Sequence, residues 1–301
     1  MPPKFNRDFD IPYGIAIDIA PGISRVLANN PKDYTFKGTN SFLIGRKELA
    51  IIDPGPLLES HIDALIKAIG GRPVCAILVT HSHADHSPAA QVLSEKCGAP
   101  VMGHRPLDPA IAALTEEDVD LEFSPDRALG DGDEIAVDGR IIRAVHTPGH
   151  FPNHLCYALD DDRILFSGDQ VMGWSTTVIS PPLGNLEHYL ASLDRLLGRD
   201  DRLYLPSHGP QIDDPHPYVR DLIRHRHHRE QQIITCLAKG CTTPDAIVAD
   251  IYEGLSPRLE QAAAQSVQAH LDYLAARGLI NPDHSHQLQE LQAAIASPLA
   301  S

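Results

Sequence analysis

Short apolar runs alternate with amphipathic stretches over roughly the first two thirds of the chain. Runs of strand length cover residues 75–80, 141–146, 163–169 and 202–209. Helical spacing of apolar positions marks residues 57–69, 87–97 and 186–197. Strands that alternate with helices in this way predict an α/β fold whose sheet core is covered by helices on both sides.

The pattern changes after about residue 215, where helical spacing takes over. Helices are predicted over residues 217–239, 246–252 and 256–277. Thr243 has the side chain of an N-cap before Pro244, Gly278 is placed as a C-cap, and Leu279 with Ile280 predicts a short final strand. Three helices and a terminal β element indicate a small winged-helix-like module. The predicted domains are residues 1–215 and 216–288, followed by a tail over 289–301.

Polar residues follow four of the predicted strands, at the point where each strand ends. They are His81, His83, Asp85 and His86 after the first, then His150, Asp169 and His208 after the others. Imidazole nitrogens and carboxylates are the ligands that zinc and its first-row neighbours prefer. A polar turn that happens to be rich in histidine would explain the first group alone. The recurrence at four strand ends favours a metal site, since α/β folds place their chemistry at such ends.

These residues resemble the motifs of the metallo-β-lactamase superfamily, over about residues 14–212. The matching segments are His-Ser-His-Ala-Asp-His at 81–86, Thr-Pro-Gly-His at 147–150, Ser-Gly-Asp at 167–169 and Ser-His-Gly at 207–209. The resemblance implies an αββα sandwich that binds two zinc ions. One ion would be held by His81, His83 and His150, and the other by Asp85, His86 and His208, with Asp169 bridging.

Further positions match this family. Asp53 is interpreted as an acceptor that orients a ligand, the alternative being a turn residue before Pro54. His154 matches a position that is often histidine without binding metal, so that a purely structural role stays open. Asn40 and Trp174 are candidates for substrate binding, although Trp174 can equally be a structural aromatic.

The segments 173–179, 206–210 and 227–234 resemble a narrower branch, the lactamase-β-2-like proteins with a C-terminal winged-helix domain. The resemblance then extends to about residue 282. One departure is Ser87-Pro88-Ala89-Ala90, where relatives often have Ser-Gly-Gly, so the helix there can start differently.

The ligand set implies metal-assisted hydrolysis. A water or hydroxide would bridge the two zinc ions, which would also polarise the substrate, while Asp85 would hold the nucleophile and could take its proton. Iron or manganese can occupy the same ligands. The favoured substrates are small esters, thioesters or lactones. The alternatives are a single-strand-specific endoribonuclease, a weak promiscuous β-lactamase activity, and a binding module without catalysis, which the complete ligand set disfavours.

Charge argues against a nucleic-acid partner. The net charge is −15, and residues 216–301 contain seven basic against nine acidic side chains. One cluster, Arg224, Arg226 and Arg229, could still receive phosphates; the alternative is a helix face that packs between the domains. A third metal site at His225 and His228 is the weakest of these hypotheses.

The remaining features of the sequence concern the localisation and oligomeric state of the protein. No run approaches the length of a membrane helix, no signal segment is recognisable, and five cysteines show no paired metal spacing. We therefore predict a cytoplasmic protein. A homodimer that buries Leu271 and Leu274 is a further expectation. Residues 105–132 are predicted to form an exposed loop, whose acidic residues Glu116, Glu117, Asp118 and Asp120 receive no catalytic role.

Overall fold

Two β-sheets pack face to face in the computed structural model, which describes residues 3–115, 117–252, 254–255 and 257–280. The first sheet has seven strands in chain order: β1 (Ile17–Ala20), β2 (Ile23–Leu27), β3 (Asn40–Ile44), β4 (Leu49–Ile52), β5 (Val74–Leu78), β6 (Val101–Gly103) and β7 (Arg127–Ala128). The second runs in the order β13–β12–β11–β10–β9–β8 and contains β8 (Glu134–Val137), β9 (Arg140–His146), β10 (Leu155–Leu159), β11 (Ile164–Gly168), β12 (Leu203–Pro206) and β13 (Ile212–Asp213).

Helices cover the outer faces of both sheets. The helices are α1 (Glu59–Ile69), α2 (Ala89–Cys97), α3 (Pro109–Ala112), α4 (Leu186–Leu197), α5 (Pro215–Ala238), α6 (Pro244–Ile251) and α7 (Pro257–Ala276). Leu65 of α1 and Leu93 of α2 pack on the first sheet, whereas Leu193 of α4 packs on the second. Between the sheets lies a core in which Phe42 and Phe166 meet edge to face. The predicted αββα sandwich is confirmed.

The two sheets are joined at the edge where the polar loops lie. The Leu155 N–H of β10 donates to the Thr80 carbonyl after β5 at 2.7 Å. The Asn40 N–H of β3 donates to the Ser207 carbonyl after β12 at 2.8 Å. β5 pairs in parallel with β4 and β6, and β11 pairs in parallel with β12. Strand ends from both sheets therefore meet at one edge, as the sequence predicts.

The helical module has its own core, formed by α5, α6 and α7. Ile233, Val267, Leu271 and Leu274 are buried in it. The expectation that Leu271 and Leu274 bury a subunit interface is therefore wrong, because their partners lie within the same chain. Leu279 and Ile280 form no strand, contrary to expectation. None of the helices in the described part of the chain has the length and apolar character needed to cross a bilayer.

α5 belongs to both cores. Val219 and Leu222 near its start pack with the helices of the second sheet, whereas Ile233 and Cys236 near its end lie in the core of the helical module. The domain division after residue 215 stays a prediction. Glu116, Ser256 and the predicted tail lie outside the described residues.

The loop over residues 105–132 is largely exposed, as predicted, but it is more ordered than a simple excursion. It contains α3, it adds β7 to the edge of the first sheet, and it inserts Phe123 into the core beneath α1 and α2. All five cysteines are free thiols, and Cys156 is buried in β10.

Candidate metal centre

All seven predicted ligands come together at the edge where the two sheets are joined. The loop after β5 supplies His81, His83, Asp85 and His86; the β9–β10 loop supplies His150; Asp169 follows β11 and His208 follows β12. Their donor atoms form three groups, each with all of its atoms within 4.8 Å of one another: His81 with His83 and His150, His81 with His86 and Asp169, and Asp85 with His86 and His208.

The distances show how tightly these groups interlock. His81 Nε2 lies 2.8 Å from His83 Nδ1. Asp85 Oδ2 lies 3.4 Å from His86 Nε2 and 3.1 Å from His208 Nε2. Asp169 lies between the groups, because its Oδ2 is 3.6 Å from His86 Nε2 and 3.7 Å from His150 Nε2, and its Oδ1 is 3.4 Å from His208 Nε2.

Several of these buried atoms have no hydrogen-bond partner in the protein. They include His86 Nε2, His150 Nε2 and Asp169 Oδ1. A buried polar atom without a partner costs about 1–3 kcal/mol, so a convergent set of them calls for a common ligand. A divalent cation fits this set, because it accepts lone pairs from imidazole nitrogen and carboxylate oxygen together.

Each of four histidines is held through Nδ1, which leaves Nε2 facing the centre. His86 Nδ1 donates to Asp53 at 2.9 Å, His150 Nδ1 to the Val178 carbonyl at 2.8 Å, and His208 Nδ1 to the Gly38 carbonyl at 3.1 Å. His81 Nδ1 lies 3.0 Å from Thr80 Oγ1. Such contacts select the tautomer in which Nε2 carries a lone pair, as a metal ligand requires.

Burial and neighbouring charges set the protonation of the centre. Burial would raise the pKa values of Asp85 and Asp169, but the adjacent His86 and His208 hold both pKa values well below the ordinary range. Burial lowers the pKa of His81 well below its usual value, and the other histidines add to this effect. His208 behaves differently: burial alone would lower its pKa, but Asp169 and Asp85 raise it to about 10. The two carboxylates thus favour a positive charge at the centre. Protons and metal ions compete for the same ligand atoms there.

Comparison with known proteins identifies the family. Residues 34–208 match the sequence profile of the "Metallo-beta-lactamase superfamily". The chain belongs to this superfamily. Residues 243–286 match the "Beta-lactamase associated winged helix domain", so that the predicted C-terminal domain is confirmed as well. The chain is accordingly a hydrolase of the metallo-β-lactamase superfamily, whose fold implies a divalent metal.

Individual relatives agree with this result. A "Beta-lactamase-like protein 2 homolog" from Caenorhabditis elegans is 29% identical over 272 residues, which are 88% of this chain and 88% of that protein. An "Atrochrysone carboxyl ACP thioesterase" from Aspergillus chevalieri is 33% identical over 229 residues, 74% of this chain and 68% of that protein. Among solved structures, a beta-lactamase domain protein from Burkholderia ambifaria superimposes with a TM-score of 0.77 at 24% identity, covering 91% of this chain and 92% of the other. It shares the fold.

Asp53 and His154 lie directly behind the ligands. Asp53 is fully buried, and His86, Thr80 and Ser207 all donate to it. His154 Nε2 accepts the Asp169 N–H at 3.1 Å. Burial lowers the pKa of His154 well below its usual value, and the neutral ring can keep its proton on Nδ1, 2.9 Å from Thr147 Oγ1. Both residues therefore contact ligands or their backbone, as expected of positions that orient them.

Asn40 and Trp174 lie near the loop that carries His208. Asn40 is fully buried and donates its amide hydrogens to the carbonyls of Pro206 and Gly209, each at 3.0 Å, which fixes the course of this loop. Trp174 is partly exposed and stacks on Phe36 with ring centroids 4.8 Å apart. A Cβ at Gly209 would lie 2.8 Å from the Trp174 ring, so glycine is needed for this contact.

Sequence reasoning missed Glu117 and Phe36. Glu117 Oε2 lies 3.8 Å from His83 Nε2, on the loop whose acids were assigned no role. Burial would raise the pKa of Glu117, but His83 and His150 lower it below the ordinary value, so it is a carboxylate at neutral pH. Neither residue lies at a strand end or in a recognisable motif. Only the docking of their loops brings Glu117 to His83 and Phe36 to Trp174.

The arginine cluster of α5 is largely engaged within the protein. Arg226 is buried, donates to the Thr177 carbonyl and lies over the Tyr189 ring. Arg229 lies 4.0 Å from the centroid of the Tyr252 ring, and Arg224 pairs with Asp221. This arrangement favours the interpretation as a packed helix face. In the part of the chain described, every group of three potential metal ligands lies in the main centre, and none contains His225 or His228.

Proposed function

We propose that the protein is a dinuclear metal hydrolase that cleaves acyl thioesters. His81, His83 and His150 would hold one ion, Asp85, His86 and His208 would hold the other, and Asp169 would be shared between them. Zinc is the first choice, and iron or manganese fit the same ligands. The observation that carries this proposal is the convergence of buried, unpartnered ligand atoms at one edge of the sandwich.

The chemistry divides between the ions and the side chains. When bound, a pair of divalent ions supplies Lewis acidity that polarises a carbonyl and activates water. Asp85 is the most exposed acid of the centre, with 26% of its side chain accessible against 10% for Asp169. It is therefore the carboxylate that an incoming water and substrate meet, and it can orient the water and accept its proton. Its oxygen contacts to His86 and His208 hold it in place for this role.

The choice of thioesters rests on the relatives. The protein from Aspergillus chevalieri and further relatives carry the name atrochrysone carboxyl ACP thioesterase. A thioester carbonyl lacks strong resonance with its sulfur, so that an activated water attacks it readily. Small esters and lactones present a similar carbonyl and are the next substrates to try. Weak hydrolysis of β-lactams would follow from the same chemistry without identifying the natural substrate.

A cleft beside the loop that carries Glu117 is the candidate site for the rest of such a substrate. It encloses about 420 Å³ and is lined by Leu114, Thr115, Pro181, Pro182, Pro244 and Gln268, among others. Its lining residue Thr115 contacts Glu117 at 3.4 Å, and Glu117 lies 3.8 Å from His83, so this wall of the cleft is linked to the ligand loop through Glu117. The volume is in the range that small-molecule sites occupy. We propose that the substrate chain lies here.

A ribonuclease using the same ions is the alternative. Arg226 and Arg229 are engaged with a carbonyl oxygen and aromatic rings, which leaves only Arg224 of the α5 arginine cluster largely exposed for a phosphate contact. Phosphodiester cleavage therefore ranks second. The cytoplasmic location and a homodimer stay predictions.

The test measures metal content and hydrolysis together. The wild-type protein should bind two divalent ions per chain and hydrolyse short acyl thioesters, while Asp169→Ala loses both metal and turnover. Asp161→Ala, at an exposed turn, is the matched control and should behave as wild type. End-labelled single-stranded RNA goes into the same assay. Cleavage of RNA, but not of thioesters, by wild type and not by Asp169→Ala would replace the thioesterase with the ribonuclease.

A further inference from the structure

Residues 117–120, here called the covering segment, run directly over the loop that carries four of the ligands. The Ala84 N–H donates to the Asp118 carbonyl and the Asp120 N–H donates to the Ser82 carbonyl, each at 2.8 Å. Val119 forms an antiparallel bridge with His83. The covering segment is thus attached to the ligand loop by backbone pairing, which fixes its distance from the metal centre.

Side chains add to this attachment. Ser87 Oγ donates to Asp120 Oδ2 at 2.6 Å, just before the start of α2. The Glu117 N–H donates to Thr115 Oγ1 at 3.1 Å, and the same hydroxyl lies 3.4 Å from Glu117 Oε2. The carboxylate is therefore held from behind and directed at the ligand loop.

Glu117 faces the one ligating histidine that is arranged differently from the others. His81, His86, His150 and His208 each have an oxygen within 3.1 Å of Nδ1, on the side away from the centre. His83 instead has Nδ1 at the centre, 2.8 Å from His81 Nε2, so its Nε2 takes the outer side. That Nε2 is buried without a hydrogen-bond partner, and Glu117 Oε2 lies 3.8 Å from it.

We propose that Glu117 is a positioning residue for His83, accepting the Nε2–H and so fixing the tautomer whose Nδ1 binds metal. The proposal rests on the proposed metal site and does not depend on the substrate. At 3.8 Å the contact is too long for a direct hydrogen bond. A small rotation of the Glu117 side chain, which is 18% exposed, brings the two atoms into bonding distance. Glu117 thus does for His83 what Asp53 does for His86.

The first test is metal affinity, measured by competition with a chelator for each of the two ions. Glu117→Ala should weaken the affinity for one ion by about 10–100-fold and leave the affinity for the other within about threefold of wild type. Glu117→Gln keeps an acceptor oxygen at the same length and should recover part of this loss. Asp118→Asn is the matched control, since Asp118 contributes its backbone carbonyl to the ligand loop. It should bind both ions as wild type does.

The second test reads the tautomer directly. Nitrogen-15 NMR of the zinc-loaded wild type should show His83 protonated on Nε2, with the assignment made by a His83→Gln variant. Circular dichroism confirms that Glu117→Ala and Glu117→Gln are folded. If Glu117→Ala retains both affinities, or if His83 carries its proton on Nδ1, the proposal is wrong. Should Glu117→Ala fail to fold, unchanged affinities in Glu117→Gln together with an Nδ1–H signal in wild type would overturn it.

The outcomes separate this inference from the substrate assignment. A protein that binds two ions, binds one of them more weakly in Glu117→Ala and cleaves no thioester would support the role of Glu117 and refute the thioesterase. A wild-type protein that binds no divalent ion would overturn both.

Discussion

Asp53 connects three loops of the metal centre through its two carboxylate oxygens. Its Oδ1 accepts the Thr80 N–H at 2.8 Å, and its Oδ2 accepts from Thr80 Oγ1 at 2.9 Å, His86 Nδ1 at 2.9 Å and Ser207 Oγ at 2.7 Å. Its backbone is left-handed, with φ 48°, a conformation that asparagine and aspartate tolerate better than other side chains. The residue thus joins the ends of β4, β5 and β12.

Asp53→Asn is expected to weaken metal binding without unfolding the protein. Asparagine keeps the size and the backbone conformation, but its amide NH₂ places donors where His86 and Ser207 also donate. The His86 ring then loses its orientation, and we expect affinity for the ion at Asp85, His86 and His208 to fall about 10–100-fold. Chelator competition measures this, with Asp63→Asn on α1 as an exposed control. Unchanged affinity would mean that Asp53 is only a turn residue, the alternative that its sequence context allows.

The sequence pattern was sufficient to locate those site residues whose position follows from local structure. The seven ligands lie at strand ends, and a strand end can be recognised from its own neighbourhood in the chain. Glu117 could not be recognised, because its position depends on pairing between residues 118–120 and 82–84, which are distant in sequence. Leu271 and Leu274 show the same limit. Their spacing correctly indicated burial but could not distinguish a core within one chain from a subunit interface.

At the scale of elements, the predicted helix starts agree best with the structure where a side chain caps the helix. Asn185 caps α4 by accepting the His188 N–H at 2.9 Å, and Thr243 caps α6 by accepting the Ala246 N–H at 3.2 Å. The predicted starts of α1 and α2 were two residues early, and those helices have no side-chain cap. The departure at Ser87-Pro88-Ala89-Ala90 thus gives a helix that begins at Ala89.

Thr243→Ala is expected to destabilise the helical module. Loss of the cap leaves the Ala246 N–H without its acceptor, which costs about 1 kcal/mol. Thr242→Ala removes a neighbouring exposed threonine that caps nothing, and it is the matched control. Denaturant unfolding monitored by circular dichroism should show the difference between the two variants. Equal stabilities would contradict the assignment of Thr243 as the cap.

At the scale of the whole molecule, buried neutral histidines make stability depend on pH. Burial lowers the pKa of His61 to about 4, and the ring bonds to Ser41 Oγ through Nε2 at 2.8 Å. The unfolded chain, with a histidine pKa of about 6.5, binds a proton between pH 4 and 6.5 that the folded chain does not bind. His61 therefore lowers stability progressively as the pH falls through this window. Above pH 6.5 its effect disappears.

His61→Gln should remove part of this pH dependence. Between pH 7 and pH 5 the wild type should lose about 2 kcal/mol more of its free energy of unfolding than the variant does. Urea unfolding at both pH values, with a chelator present so that metal release adds no slope, gives the comparison. His188→Gln, which removes an exposed histidine from α4, controls for the loss of a histidine as such. Parallel losses in wild type and His61→Gln would show that His61 is not neutral in the folded protein.

The net charge of −15 should be visible in the kinetics. Coenzyme A thioesters carry phosphates, so an acidic protein repels them over a distance that salt shortens from about 30 Å at 0.01 M to about 10 Å at 0.1 M. We expect kcat/KM for an acyl-coenzyme A to rise a few-fold over this range, while a neutral thioester of the same acyl group stays constant. The neutral substrate controls for effects of salt on the protein itself. A fall with salt would instead indicate a local cationic surface near the cleft, as phosphate binding requires. The arginines of α5 and the ribonuclease alternative would then have to be reconsidered, because net charge would no longer describe what the substrate meets.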